Sequence, residues 1–244
     1  MDEKFVRTAM VLGPSAVENL RTKRVAVFGI GGVGGNCTEA LARSGVGTLD
    51  LIDSDDVCES NLNRQVFALH STVGMKKTDA AKQRIMDISP ETAVNTYPVF
   101  YLPETADTID FSVYDYIVDA IDTVTAKLDI IERAGRCGVP VISSMGCGNR
   151  VDPSMLRIMD IYDTKGDPLA KVMRRELRKR GIKKLPVCCS LETPLKPLFP
   201  GSEEELKTRR SIPGSTAFVP PAAGIMIASY VVRKLISFDP EHRE

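Results

Sequence analysis

The 244-residue chain has no excess of charge: 32 Lys and Arg face 32 Asp and Glu. That balance removes the simplest signature of a polyanion binder, although a total says nothing of where the charges lie. No C-x-x-C pair is present among the scattered Cys37, Cys58, Cys137, Cys147, Cys188 and Cys189, which excludes a cysteine-built zinc site and fits reduced thiols. The opening MDEKFVRTAM lacks both the apolar run of a secretory signal and the Arg-rich pattern of a transit peptide, so a cytoplasmic protein is expected. No apolar run reaches the roughly 20 residues of a membrane span. The candidate, 216–232, contains Pro220 and Pro221 and reads as a buried or dimer-facing helix, with a membrane anchor as the lesser alternative. Repeats and low-complexity stretches are also missing, and 43% hydrophobic with 26% charged residues is the composition of an ordinary globular protein.

What the chain does have is alternation. Short apolar bursts at 25–28, 48–53, 94–101, 116–118 and 139–143 alternate with helical spacing at 33–44, 74–88 and 125–137. This predicts an α/β fold: a Rossmann-like, doubly wound, mostly parallel sheet with ligands at the carboxyl ends of its strands. Beyond residue 148 the rhythm changes to strands at 155–161 and 186–190, a helix at 168–180, a Pro-rich charged loop at 193–214 and the closing apolar helix. These pieces are too small for a core of their own. We expect one domain, with a nucleotide-binding core at 24–147 and a substrate side at 148–244 that extends the sheet.

Gly29, Gly31, Gly32 and Gly34 form a G-x-G-x-x-G loop between a strand and a helix, where backbone N–H groups approach a phosphate. Asp53 follows Gly34 by 19 residues at the end of the second strand, where a carboxylate takes ribose hydroxyls. NAD and ATP satisfy these two features equally. A triphosphate carries about four charges and recruits cations and a metal. Arg64 and Lys77 are candidate cations, and Asp122, just past the fourth strand, is a candidate magnesium ligand. Each has a plain alternative: a surface ion pair for Arg64, a solvated first turn for Lys77, a helix N-cap for Asp122. Together they favour ATP.

At this point the chain resembles the adenylating superfamily of ubiquitin-activating, molybdopterin and thiamine-type (ThiF-like) enzymes. The resemblance rests on Gly29–Gly34, Asp53–Gln65, Gly74–Lys77 and Asp119–Asp122, and covers most of residues 5–147. It implies ATP at a site including Asp53, Asp55, Asn61, Arg64, Gln65 and Lys77, with Asp122 on Mg2+. It also implies catalysis by Arg64, Lys77, Asp122 and an Arg7 lent across a homodimer. Full ubiquitin-activating enzymes are far longer, and many enzymes acting on sulfur carriers hold zinc. Asn63–Gln65, Asp119–Asp122, Asp152-Pro153, Asp167–Ala170 and Ala222–Gly224 resemble instead the tRNA threonylcarbamoyladenosine dehydratase group. That resemblance implies ATP-dependent cyclisation of the modified adenosine beside the anticodon. tRNA is then the partner, a cysteine desulfurase or sulfur-acceptor protein is a candidate second partner, and DNA is not one. The alternatives are adenylation of a sulfur carrier's C-terminal carboxylate, an NAD-dependent oxidoreductase, which does not need Arg64, Lys77 and Asp122, and a non-catalytic nucleotide-binding scaffold.

Some members of the group carry a cysteine in the loop before the last helix; here 207–214 has none. Cys188, Cys189 and Cys147 remain as candidate nucleophiles against the commoner reading of inert buried thiols. From Lys171 to Lys184 there are eight Lys or Arg and one acid, Glu176. Helical spacing puts Leu169, Val172, Met173 and Leu177 on one side and Lys171, Arg174, Arg175 and Arg178 on the other, a candidate tRNA-binding ridge. A solvated helix face is the alternative, though such faces usually interleave both signs. The rest of the chain is therefore acidic, and overall neutrality does not exclude RNA.

Overall fold

A computed structural model of the chain describes residues 2–200 and 213–241. Its frame is a seven-stranded sheet in the order β3-β2-β1-β4-β5-β7-β6. The strands are β1 (Arg24–Phe28), β2 (Thr48–Ile52), β3 (Ala93–Tyr97), β4 (Tyr116–Asp119), β5 (Val141–Ser144), β6 (Leu156–Asp160) and β7 (Pro186–Ser190). All neighbours run parallel except β6, which pairs antiparallel with β7. The last four residues of β1 and β2 and all of β4 are buried, the pattern of strands covered on both faces. Strand order reverses between β1 and β4, which opens a crevice at their carboxyl ends. Because β7 bonds to β5, the C-terminal third continues the same sheet.

The helices are α1 (Val6–Leu12), α2 (Pro14–Arg21), α3 (Gly32–Arg43), α4 (Lys77–Ile88), α5 (Val124–Cys137), α6 (Pro168–Lys179) and α7 (Val219–Leu235). Leu41 of α3, Ile85 of α4 and Ile227 of α7 pack on one face of the sheet with Val25, Val27 and Leu51. The other face carries Ala26, Phe28 and Ile117 against Ile130 of α5 and the aromatic group Tyr101, Phe111 and Tyr114. Met173 and Leu177 of α6 pack on Ile131 of α5 and on Val187 and Cys189 of β7.

Several boundaries differ from the periodicity. β3 stops at Tyr97 because Pro98 has no N–H to donate, and Tyr101 turns inward to meet Phe28 edge-on at 4.9 Å. Residues 74–76 are not helical: Val57 N–H donates to Met75 and Gly74 N–H to Val57, so the segment zips onto the motif after β2. α7 begins three residues later than the apolar run, placing Pro220 and Pro221 in its first turn, where their missing N–H groups cost nothing. It lies on α3, with Gly224 against the Val33 carbonyl, where a Cβ would overlap. Among the described residues no helix is long and apolar enough to cross a membrane. α1 and α2 carried no clear periodic signal and are additions to the sequence reading.

Candidate active site

The glycine loop stands where β1 and β4 diverge. Gly29 has φ +87° and donates its N–H to Ile52 at 2.8 Å; a Cβ there would lie 2.8 Å from the Ala120 carbonyl oxygen. A Cβ on Gly34 would overlap the Gly29 carbonyl, so strand and helix approach at a distance only glycine permits. The first turn of α3 thus begins at the crevice, with Arg64 and Pro220 against Gly32.

Asp53 sits at the loop's edge. Its Oδ2 accepts the Ile30 N–H at 2.7 Å and its Oδ1 the Asp55 N–H at 2.8 Å, which fixes the carboxylate beside Gly29–Gly31. Burial raises its pKa above the usual carboxylate value, opposed mainly by the Lys77 ammonium, 4.0 Å away. Lys77 is itself buried, and its Nζ donates to Asp55 Oδ2 at 2.7 Å. The zipped segments 55–57 and 74–77 account for this meeting, since Lys77 N–H also donates to the Asp55 carbonyl.

Asn61 shapes the turn after β2. Its side-chain oxygen accepts the Cys58 N–H at 3.2 Å, and its carbonyl accepts the N–H groups of Arg64 and Gln65. That turn brings Arg64 and Gln65 to the glycines: a Cβ on Gly32 would lie 3.5 Å from Arg64 Cγ, and one on Gly31 4.0 Å from Gln65 Nε2. The Arg64 guanidinium donates to the Ser60 carbonyl at 2.8 Å and to Asn63 Oδ1 at 2.9 Å. Asp122 lies exposed past β4, its Oδ1 3.5 Å from Thr123 Oγ1. It does not cap α5, whose N-cap is Thr123.

One group under the crevice was missed by the sequence reading. Lys127 of α5, fully buried, donates to Asp119 at 3.0 Å, to Ser143 Oγ at 3.0 Å and to the Ser144 carbonyl at 2.8 Å. Ser143 Oγ also donates to Asp119 at 2.6 Å. The first aspartate of the D-x-x-D segment is thus a buried counter-ion, and only Asp122 faces outward.

The candidate nucleophiles are poorly placed for attack. Cys188 and Cys189 are buried in β7. Burial drives the Cys188 thiol upward and pushes Cys189 up to about 12 and Cys147 up to about 11, so all three stay protonated at neutral pH. The cysteine-free loop at 207–214 lies outside the described residues up to 212. The ridge is also smaller than predicted. Lys171, Arg175 and Arg178 are exposed, but Arg174 turns back to donate to the Thr164 carbonyl at 2.9 Å and to its hydroxyl. Arg178 lies over the Tyr162 ring at 5.1 Å, and Glu176 gathers Arg175, Lys179 and Arg180 at 3.0–3.1 Å. Arg7 is exposed on α1. A cavity of about 610 Å³ lies at the opposite end of the sheet, lined in part by Tyr116, Val141 and Pro186 at strand starts, away from all these groups.

The crevice therefore brings together the buried Lys77 ammonium, the glycine loop and the Asp53 carboxylate. The tRNA threonylcarbamoyladenosine dehydratase of Bacillus subtilis (strain 168) is 42% identical to this chain over 243 residues, spanning 97% of this chain and 96% of that protein. The Escherichia coli (strain K12) enzyme of the same name is 32% identical over 252 residues, with 96% and 94% covered. Crystal structures of the E. coli enzyme superpose with TM-scores of 0.87 for the complex with AMP and 0.84 for the complex with ATP, each covering 96% of this chain and 94% of that one, at 32% and 31% identity. The ThiF family model matches residues 5–244, and with the crevice geometry this establishes that the chain belongs to the ThiF family.

Proposed function

We propose that the chain is an ATP-dependent tRNA-modifying enzyme that adenylates the carboxylate of threonylcarbamoyladenosine, beside the anticodon, and lets it cyclise with net loss of water. The observation that carries this reading is the Lys77–Asp53 arrangement at the glycine loop, with Arg64 and Gln65 beside it, in a chain similar over its whole length to dehydratases. A substrate carboxylate oxygen attacks the α-phosphorus of ATP; the P–O bond to the β-phosphate breaks and pyrophosphate leaves. The ring-closing nitrogen then attacks the acyl carbon, loses its proton, and AMP departs with the carboxylate oxygen. No general base is needed for the first step, so catalysis is positioning and charge neutralisation.

Asp53 would take the ribose hydroxyls, the Gly29–Gly34 loop and Arg64 the phosphates, and Lys77 the charge that develops at the scissile bond. Among the described residues no three His, Cys, Asp or Glu gather as a metal cluster. Asp122, exposed past β4, would hold Mg2+, whose charge would neutralise the leaving pyrophosphate. Arg7 would be lent to the partner's ATP in a homodimer, and the exposed Lys171, Arg175 and Arg178 would meet the tRNA backbone. An intramolecular nucleophile removes the need for an enzyme thioester, in keeping with the protonated thiols.

Mass spectrometry of tRNA nucleosides after incubation with protein, ATP and Mg2+ tests the reading. We expect threonylcarbamoyladenosine to lose one water. If its mass is unchanged while sulfur-carrier peptides support pyrophosphate exchange, the reading falls to sulfur-carrier adenylation; no exchange with any carboxylate removes adenylation itself.

A further inference from the structure

The segment just before α7 is fastened to both sides of the crevice. Asn149, at φ +59° after β5, exchanges two hydrogen bonds with Gly214: its N–H donates to the Gly214 carbonyl at 2.7 Å, and its Oδ1 accepts the Gly214 N–H at 2.7 Å. The fit is close, since a Cβ on Gly148 would lie 2.7 Å from Pro213 Cβ. The next residue, Ser215, is held from the nucleotide side, where its carbonyl accepts Asn63 Nδ2–H at 3.0 Å. The same Asn63 offers its Oδ1 to the Arg64 guanidinium at 2.9 Å. A guanidinium only donates and a peptide carbonyl only accepts, so the two neighbours dictate the orientation of the amide, and among side chains of this length an amide serves both.

The fastening continues away from the phosphates. Arg150 is buried and donates to the Gly146 carbonyl and to Asp167 Oδ2, the latter at 2.6 Å; Asp167 Oδ1 caps α6 through Ala170 N–H at 2.7 Å. Hydrogen bonds thus run from the start of the cationic helix through residues 149–150 and 214–215 to the arginine beside the glycine loop. Asn63 is the point where the two halves join, and it is exposed, so packing does not explain it.

We propose that Asn63 is a positioning residue: through its two ends it holds Arg64 in place for the nucleotide phosphates and anchors the Pro213–Ser215 segment on the substrate side. The substrate half rests on the proposed function; the nucleotide half does not. Isothermal titration with ATP–Mg2+ and amide hydrogen exchange at 214–216 test both halves, with melting temperatures checking that each variant folds. Asn63→Ala removes both bonds, so ATP affinity is expected to fall about tenfold, as when a charge-assisted hydrogen bond no longer preorganises a cation, and exchange at 214–216 to speed up about tenfold. Asn149→Ala leaves Arg64 alone and should speed exchange with ATP affinity within about twofold of the parent. A residue that merely anchors the loop would leave ATP affinity unmoved in Asn63→Ala, and that result, or unchanged exchange, overturns the proposal. With threonylcarbamoyladenosine-containing tRNA, both variants should raise KM. If the parent protein does not convert that tRNA, the proposed function fails, while titration and exchange still decide the role of Asn63.

Discussion

The two sides of the crevice are built by different means. On the nucleotide side the backbone does the shaping: a glycine with positive φ, a strand and a helix that touch at Gly29 and Gly34, and N–H groups that fix Asp53. On the C-terminal side the shape comes from side chains that reach across the chain, Arg150 to Asp167, Asn149 to Gly214 and Asn63 to Ser215. The first kind of construction is set by the main chain itself. The second depends on side chains that meet across the chain, the exposed Asn63 amide and the buried Arg150–Asp167 pair among them.

The most severe test of this contrast lies below the crevice. Lys127→Met leaves Asp119 buried with no countercharge, and we expect a stability loss of about 3–5 kcal/mol, read as a lower melting temperature. Pairing it with Asp119→Asn should recover most of that loss; a single variant as stable as the parent would mean that the nucleotide side does not need its buried charge. Next in size is the surface of α6. Reversing Lys171, Arg175 and Arg178 to Glu should weaken tRNA binding tenfold or more and flatten its salt dependence, since each contact to a phosphate contributes about 0.7–0.9 to the slope. ATP affinity should not change, and equal tRNA affinity would assign the cations of α6 to solvation alone. The smallest effect concerns Glu176, whose carboxyl is held down to about 2 by Lys179, Arg175 and Arg180. A depressed folded value means that its stabilisation is complete above the unfolded value near about 4.3 and is lost as pH falls toward 2. The parent should therefore melt slightly above Glu176→Gln at pH 7, with the gap closing near pH 2; because the partners Arg175 and Lys179 are exposed, the gap will be small.

The same contrast explains what could be read from the sequence. Gly29, Gly34 and Asp53 were legible because a backbone that must bend, touch and bind leaves its mark as residue type and spacing. The mostly parallel direction of the strands followed from apolar runs alternating with helical spacing, whereas their order across the sheet is known only from the structure. Lys127 was invisible because, eight residues from Asp119, it resembles any helix lysine until the strand and helix are packed together. Asn149 and Gly214 are 65 residues apart, and no local pattern joins them. Arg174 was placed on the ridge by helical spacing alone, which takes no account of Thr164 outside the helix. Lys77 was recognised, but its partner was not, because the ladder between 55–57 and 74–77 lies in a stretch that reads as helix and loop.

The pairing of Lys77 with Asp55 has a consequence for which anions the crevice admits. An ammonium with a carboxylate already 2.7 Å away exerts little pull on a singly charged ion, for which exchanging one partner for another gains almost nothing. A polyphosphate with its metal can displace the carboxylate, because it brings several charges to the same place. On the proposed function, the resident carboxylate would set a threshold: only an anion bringing more than one charge would draw the lysine away from Asp55, so selection by charge number would precede any contact with the base.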